Sequence, residues 1–169
     1  MRTLYLVSVW LHILAACAWI GGMLFLALVL VPLLRRPELG AQRGVLLHLT
    51  GVRFRTLGWA ALAVLVLTGL VNLTARGIDL SMLGSLVFWK STFGSTLALK
   101  LGIVLGILAL SLVHDFTVGP RATLLARSAP DSPEAERLRR AASWIGRANL
   151  LLALLAAALG VVLVRGWPW

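Results

Sequence analysis

Residues 4–34 read LYLVSVWLHILAACAWIGGMLFLALVLVPLL, and His12 is the one side chain in this stretch that can carry a charge near neutral pH. A transmembrane helix needs about 20 mainly apolar residues, so this stretch is long enough to cross a bilayer with some tilt. It is also longer than the apolar core of a secretory signal peptide, which has about 7–15 residues. We therefore expect a retained transmembrane helix.

The composition of the whole chain is typical of a membrane protein. Hydrophobic residues make up 60% of it and charged residues 13%, whereas soluble domains have about 45–50% and about 25%. Further apolar stretches follow at residues 57–73, 97–113 and 150–164. The sequence therefore predicts an all-α integral membrane protein, an antiparallel four-helix bundle. We expect a single transmembrane domain over residues 1–169, with helices at about 4–34, 55–74, 93–114 and 144–165.

The distribution of the formal net charge of +10 predicts the orientation of the bundle. Arginines concentrate in the first and last connections, at Arg35, Arg36, Arg43, Arg53, Arg55, Arg121, Arg127, Arg137, Arg139 and Arg140. The middle connection carries only Arg76 and Lys90. Because Arg and Lys accumulate in cytoplasmic loops, we expect a multi-pass protein of the plasma (inner) membrane with both termini outside. The lipid bilayer is then the main partner, and nucleic acid is not one.

The last connection contains a helix start signal. Ser132 precedes Pro133, and Glu134 and Glu136 follow in the first turn. Serine is a preferred N-cap, proline fits the first helical position, and acidic residues favour the first turn. We therefore predict that Ser132 caps a helix whose basic face lies on the inner leaflet before the chain turns into the fourth span.

His12 belongs to a narrow stripe of the first helix. At 100° per residue, this stripe contains Tyr5, Ser8, His12, Ala16, Trp19 and Met23, whereas Cys17 lies on another face. Ionisable residues inside a membrane usually face the bundle interior or a cavity. Two interpretations stay open: His12 forms a hydrogen bond with a neighbouring helix, or it is a ligand of a cofactor.

Residues of the next two spans are expected at the depth of His12. Thr68 and Asn72 lie one turn apart near the end of the second span, and Lys100 lies near the start of the third. We take His12, Lys100, Trp19 and Asn72 as candidate cofactor-binding residues. Interhelical hydrogen bonding is the alternative for Thr68 and Asn72, and a lysine side chain that reaches the interface is the alternative for Lys100.

His114 is expected at the opposite end of the third span. At about 1.5 Å per residue it lies roughly 20 Å from Lys100, so we predict that it does not share a centre with His12. We expect it to meet headgroups or Arg147. Since the only histidines are His12, His48 and His114, a pair of bis-histidine haems, which needs four, is excluded.

The inventory of metal ligands is small. Thiolate and thioether groups suit Cu(I), and imidazole suits copper generally. The soft groups are Cys17 and the methionines Met1, Met23 and Met82. A single cysteine excludes an intrachain disulfide and a CxxC site. We take His12, Met23 and Met82 as the candidate metal ligands.

Four stretches together resemble the CopD-like copper-resistance membrane domain. LHILAACAWIGGMLF (residues 11–25) is similar to its first-helix His-x6-Trp-x-Gly-Gly, and LTGLVNL (67–73) to its second helix. FGSTLALKLGIVLGILAL (93–110) resembles its third helix, with Phe93 in place of a tyrosine, and IGRANLLLALLAAALGVVLV (145–164) its last. The resemblance implies copper handling, resistance or transport. It implies a copper ion as cofactor and, as partners, a periplasmic copper-binding protein, another membrane subunit or a second copy of the chain.

The chain also resembles the HemJ-type protoporphyrinogen oxidases, a related four-helix family. The shared residues are the first-helix histidine, here His12, and the third-helix lysine, here Lys100. That resemblance implies haem b bound through His12. Where that family has Tyr-Leu-Pro-Arg, this chain has LALVLVP. Three functions thus stay open: copper handling, a b-type haem redox protein, and a non-catalytic accessory subunit.

Overall fold

A computed structural model describes residues 2–129 and 132–167, apart from the side chains at positions 41, 80 and 127. In these two ranges every regular element is helical, and four stretches are long and apolar enough to cross a membrane. They are Arg2–Leu33, Gln42–Thr74, Thr92–Ala126 and Pro133–Arg165. The predicted all-α four-helix membrane bundle is thereby confirmed.

The helices of the described ranges follow one another with short connections. They are α1 (Arg2–Leu33), α2 (Gly40–Thr74), α3 (Leu80–Leu83), α4 (Leu86–Lys90), α5 (Thr92–Val113), α6 (Gly119–Ser128) and α7 (Pro133–Arg165), with a 3₁₀ turn at Pro37–Leu39. The first long helix packs along α2, and α5 packs along α7. The two pairs meet chiefly through α1 and α7. Between α2 and α5 lies a groove of about 370 Å³.

Two of the long helices begin well before their predicted starts. α2 begins at Gly40 instead of near residue 55, and α7 begins at Pro133 instead of near residue 144. No proline lies between Gly40 and Thr74, so nothing stops the helix between the basic segment and the apolar one. The 35 residues of α2 measure about 52 Å at 1.5 Å each, against a hydrocarbon thickness of about 30 Å. Its arginine-rich start therefore projects beyond the apolar layer. A single domain over residues 1–169 stays a prediction.

Two π-helical turns interrupt the long helices. They cover Leu26–Leu30 and His114–Val118, and each ends two residues before a proline, Pro32 or Pro120. A proline within a helix has no N–H to donate and its ring crowds the carbonyl four residues earlier. Those carbonyls belong to residues of the two π turns, and the wider turn accommodates the ring without ending the helix.

The core lies along the predicted stripe of α1. Ser8, Trp19 and Met23 are buried, whereas Cys17 is exposed, as expected. The main cluster of buried apolar side chains comprises Trp19, Met23, Leu62, Ile103, Ile107, Ala153 and Leu159. A Cβ atom at Gly22 would overlap the ring of Phe54, so a larger residue there would force this ring to move away from α1.

The predicted helix cap at Ser132 is confirmed. Its hydroxyl accepts a hydrogen bond from the Ala135 N–H at 3.1 Å, and Pro133 takes the first helical position. Gly166 ends the same helix with a φ of 83°, a conformation that glycine adopts without steric cost. These two residues fix the length of α7 and hence the position of its last turn at the His12 end of the bundle.

Candidate metal centre

His12 forms a hydrogen bond with Thr68 of α2. The distance from its Nδ1 atom to the Thr68 Oγ1 atom is 2.7 Å. Thr68 has one hydroxyl hydrogen, and it donates this hydrogen to the Val64 carbonyl oxygen at 2.5 Å. With its hydrogen directed at Val64, Thr68 is positioned to accept from His12, which favours the tautomer of the neutral imidazole with its proton on Nδ1. The lone pair on Nε2 is left available for a ligand.

Two other polar side chains flank this hydrogen bond. The Ser8 hydroxyl donates to the Thr68 carbonyl oxygen at 3.3 Å, which ties α1 to α2 a second time. Asn72 lies one turn beyond Thr68 on the same face of α2. Its Oδ1 atom is buried and has no hydrogen-bond partner in the described part of the chain. A buried amide oxygen without a donor costs free energy, so this face contains an acceptor that a ligand can satisfy.

Two cationic side chains, Lys100 and Arg76, belong to the same group of polar residues. Lys100 is half-buried, and its ammonium group lies against Gly160 of α7, where an added Cβ would be 3.1 Å from Nζ. It is close enough to His12 for the two groups to interact electrostatically. Arg76 donates to the Leu163 carbonyl oxygen at 3.0 Å. We refer to six residues as the His12 cluster: Ser8, His12, Thr68, Asn72, Arg76 and Lys100.

The other predicted site residues lie elsewhere. Trp19 and Met23 are buried in the apolar core, and Met23 follows His12 by about three helical turns, or about 16 Å. Met82 is 45% exposed in α3, and Met1 lies outside the described residues. No group of three or more His, Cys, Asp or Glu side chains suited to a metal occurs within the two described ranges. The ligand roles of Trp19, Met23 and Met82 stay predictions.

His114 belongs to a second polar group at the other end of the bundle. Its Nδ1 atom lies 2.8 Å from Asp115 Oδ1, and Trp59 Nε1–H donates to Asp115 Oδ2 at 2.9 Å. Arg55 donates to the Asp115 carbonyl oxygen at 3.3 Å. We refer to these four residues as the His114 cluster. Trp59 and Thr68 are separated by about 13 Å of α2, so the two histidines belong to separate clusters.

Of the two expected surroundings of His114, headgroups or Arg147, the structure corrects Arg147, and the headgroups stay a prediction. Arg147 lies over the Trp144 ring at 5.3 Å from its centroid and donates to Ser143 at 3.1 Å. His114 instead pairs with its chain neighbour Asp115 within the π turn. A helical wheel of regular pitch does not predict this arrangement.

One buried polar pair was missed in the sequence. Asn149 of α7 donates through Nδ2 to the Ser111 hydroxyl of α5 at 2.9 Å, and both residues are buried. The available signal was a single amide within an apolar run, which indicates interhelical hydrogen bonding. The Oδ1 atom of Asn149 is buried without a partner in the described residues. The groove between α2 and α5 contains neither Asn149 nor Ser111, and the residues that line it are Trp59, Leu62, Ala63, Val66, Leu67 and Leu108.

These features define a class: four-helix membrane proteins with a histidine between the first two helices and a lysine from the third beside it. Residues 48–163 match the family model of CopD, copper resistance protein D, and the chain belongs to this family. The match includes Thr68, Asn72 and Lys100, whereas the first-helix resemblance around His12 lies outside it and stays a prediction.

A relative extends over the whole chain. An uncharacterized protein of Aquifex aeolicus (strain VF5) is 32% identical over 169 residues, which cover 99% of this chain and 98% of that protein. No solved structure gives a significant match. The comparisons therefore identify a membrane protein of the copper resistance family.

Proposed function

We propose that this protein handles copper at the membrane through a metal centre at His12, with Nε2 as the ligating atom. The observation that carries the proposal is the hydrogen-bond relay from His12 through Thr68 to the Val64 carbonyl. A second-shell acceptor on one ring nitrogen fixes the tautomer and raises the basicity of the other nitrogen. Imidazole in this form is a good copper ligand.

Copper at this site needs further ligands in addition to the His12 imidazole. Asn72 has an unsatisfied buried oxygen on the same face of α2, and the described residues supply no cluster of three ligands. Copper held by one imidazole is labile, which suits a protein that passes the metal on. A periplasmic copper-binding protein, another membrane subunit or a second copy of the chain is the partner that this open coordination fits.

The test uses the full chain, purified in detergent and loaded with copper under reducing conditions. Metal analysis should show bound copper in the parent, loss of most of it in His12→Ala, and full retention in His48→Ala. His48 is the matched control because it is a half-buried histidine of α2 that belongs to neither cluster. Full copper occupancy in folded His12→Ala would mean that His12 is a packing residue and not a copper ligand.

Haem b is the alternative occupant of the same nitrogen. An imidazole with a free Nε2 ligates haem iron equally well, and Lys100 and Arg76, which form no ion pair within the described ranges, suit the propionates of a haem. An absorption spectrum of the same purified protein separates the two, since bound haem gives a Soret band and copper does not. Neither copper nor haem in the parent protein would instead favour a non-catalytic accessory subunit.

The location in the cell is part of the proposal. The arginines of the first and last connections favour a cytoplasmic position for those connections in the plasma (inner) membrane. Both termini and the His12 cluster then lie at the outer side. In a Cys17→Ser background, a cysteine at position 76 should react with an impermeant maleimide added outside, and one at position 43 should not. Labelling of position 43 from outside would reverse this orientation.

A further inference from the structure

The His12 cluster gathers positive charge on one face of the last helix. Arg76 donates to the carbonyl of Leu163, and the ammonium of Lys100 lies against Gly160. Gly160 and Leu163 are three residues apart, so they are neighbours on the surface of α7. Lys100 and Arg76 are close enough for their charges to repel one another.

No acidic side chain of the described ranges neutralises these cations. The ion pairs there join His114 to Asp115, and Arg139 and Arg140 to Glu136. Asp79, the acid of the same connection as Arg76, is engaged elsewhere: it accepts from Ser81 Oγ at 2.6 Å and from the Met82 N–H at 2.9 Å. These two hydrogen bonds hold the pKa of Asp79 below its usual value.

The carboxyl end of α7 compensates only part of the charge. A helix terminus carries about half an elementary negative charge, against two full positive charges on Lys100 and Arg76. An ammonium group at membrane depth without a counter-ion costs free energy, and such residues mark ligand sites. The remaining donors are three N–H bonds on the lysine and those of the guanidinium not directed at Leu163.

We propose that Lys100 and Arg76 form an oxyanion site beside His12, which takes a carboxylate or phosphate group. Charge-assisted hydrogen bonds from an ammonium and a guanidinium are the strongest that a protein offers to such oxygens. This inference depends on the proposed function only for the location of the site, because neither Lys100 nor Arg76 needs copper in order to bind an anion. Two sources supply this chemistry: a small anion from water, and the phosphate of a phospholipid.

The experiment uses metal-free full-length protein and two probes. In an uncharged maltoside detergent, inorganic phosphate is titrated and its dissociation constant is measured by calorimetry. In phosphatidylcholine nanodiscs that contain phosphatidylglycerol, the retained phosphatidylglycerol is counted by native mass spectrometry. The variants are Lys100→Gln and Arg76→Gln. Lys90→Gln is the matched control, because it removes an exposed charge from the same connection.

The expected result is that each test variant weakens binding about tenfold or more, while Lys90→Gln matches the parent. Phosphate binding in detergent identifies a soluble anion, and retention of phosphatidylglycerol alone identifies a lipid phosphate. The proposal is overturned if neither probe binds, or if Lys90→Gln weakens binding as much as the test variants do. Copper occupancy, measured separately in the same variants, shows which of the two proposals fails.

Discussion

The two histidine clusters differ in the oxygen atom that the imidazole contacts and in how many polar groups of the cluster have a partner. In the His114 cluster the imidazole meets a carboxylate at 2.8 Å, and Trp59 donates to the other carboxylate oxygen. In the His12 cluster the imidazole meets a neutral hydroxyl at 2.7 Å, with a lysine nearby. In the first group a carboxylate therefore contacts both rings, and Arg55 donates to the backbone of the same residue. Within the described ranges, the second keeps an amide oxygen without a hydrogen-bond partner and two cations without an ion pair.

This difference indicates that the two ends of the bundle have different roles. The His114 cluster joins α2 to the π turn after α5, since Arg55 and Trp59 both bond Asp115. Its polar groups hold the structure together. The His12 cluster contains groups that a ligand would complete, and such unsatisfied groups are typical of a binding site. Variants in each cluster should therefore change different properties of the protein.

The largest effect is expected from Asp115→Ala. The side chain is 17% exposed, and its loss would leave the indole N–H of Trp59 and the imidazole of His114 without their acceptor. We expect a loss of about 2–3 kcal/mol in the free energy of unfolding, measured by thermal unfolding in detergent, with copper binding unchanged.

Asp79→Ala serves as the control, because it removes an exposed carboxylate that bonds only within its own turn. Its unfolding should match that of the parent. If Asp115→Ala also unfolded like the parent, the His114 cluster would not be what holds α2 to the π turn.

The next effect is expected from Thr68→Val, which keeps the shape of the side chain and removes the acceptor of His12. Loss of an outer-shell partner typically lowers metal affinity about 10–100-fold. We expect a fall of this size in copper affinity, with stability lowered by only about 1 kcal/mol. Competition with a copper chelator measures the affinity.

Thr68→Ser is the matched variant, since its hydroxyl can again accept from His12 and donate to the Val64 carbonyl. It should recover most of the copper affinity. Equal affinities of the valine and serine variants would mean that the relay does not prepare His12 for a metal.

The sequence predicted the fold and part of the site because both follow from local periodicity. Four apolar stretches indicate four spans, and the stripe through Ser8, His12 and Trp19 identifies the inward face of α1. Thr68 could be placed at the depth of His12 by counting residues from the membrane edge. The hydrogen bond between Arg76 and Leu163 joins residues 87 positions apart. It depends on how the helix pairs dock, which local patterns do not specify.

The His114 cluster could not be predicted, for a different reason. Residues 114 and 115 point in directions about 100° apart on a regular α-helix, so only one of them should face α2. In the structure Asp115, within the π turn that Pro120 accompanies, contacts both Trp59 and its chain neighbour His114. A sequence reading that treats proline only as a helix breaker misses the rearrangement.

The smallest effect on binding is expected from Gly160→Ala. This variant is also the sharpest test of the oxyanion site. The new methyl group would lie 3.1 Å from the Lys100 ammonium, which must then move by a few tenths of an ångström. The last helix itself should gain stability from the substitution, by up to about 1 kcal/mol, because alanine favours a helix over glycine. Gly146→Ala is the matched control, since a Cβ there meets nothing within 4 Å. We expect both variants to be at least as stable as the parent. Only Gly160→Ala should bind the oxyanion probe more weakly, by about threefold, and equal binding by the two variants would place the anion away from Lys100.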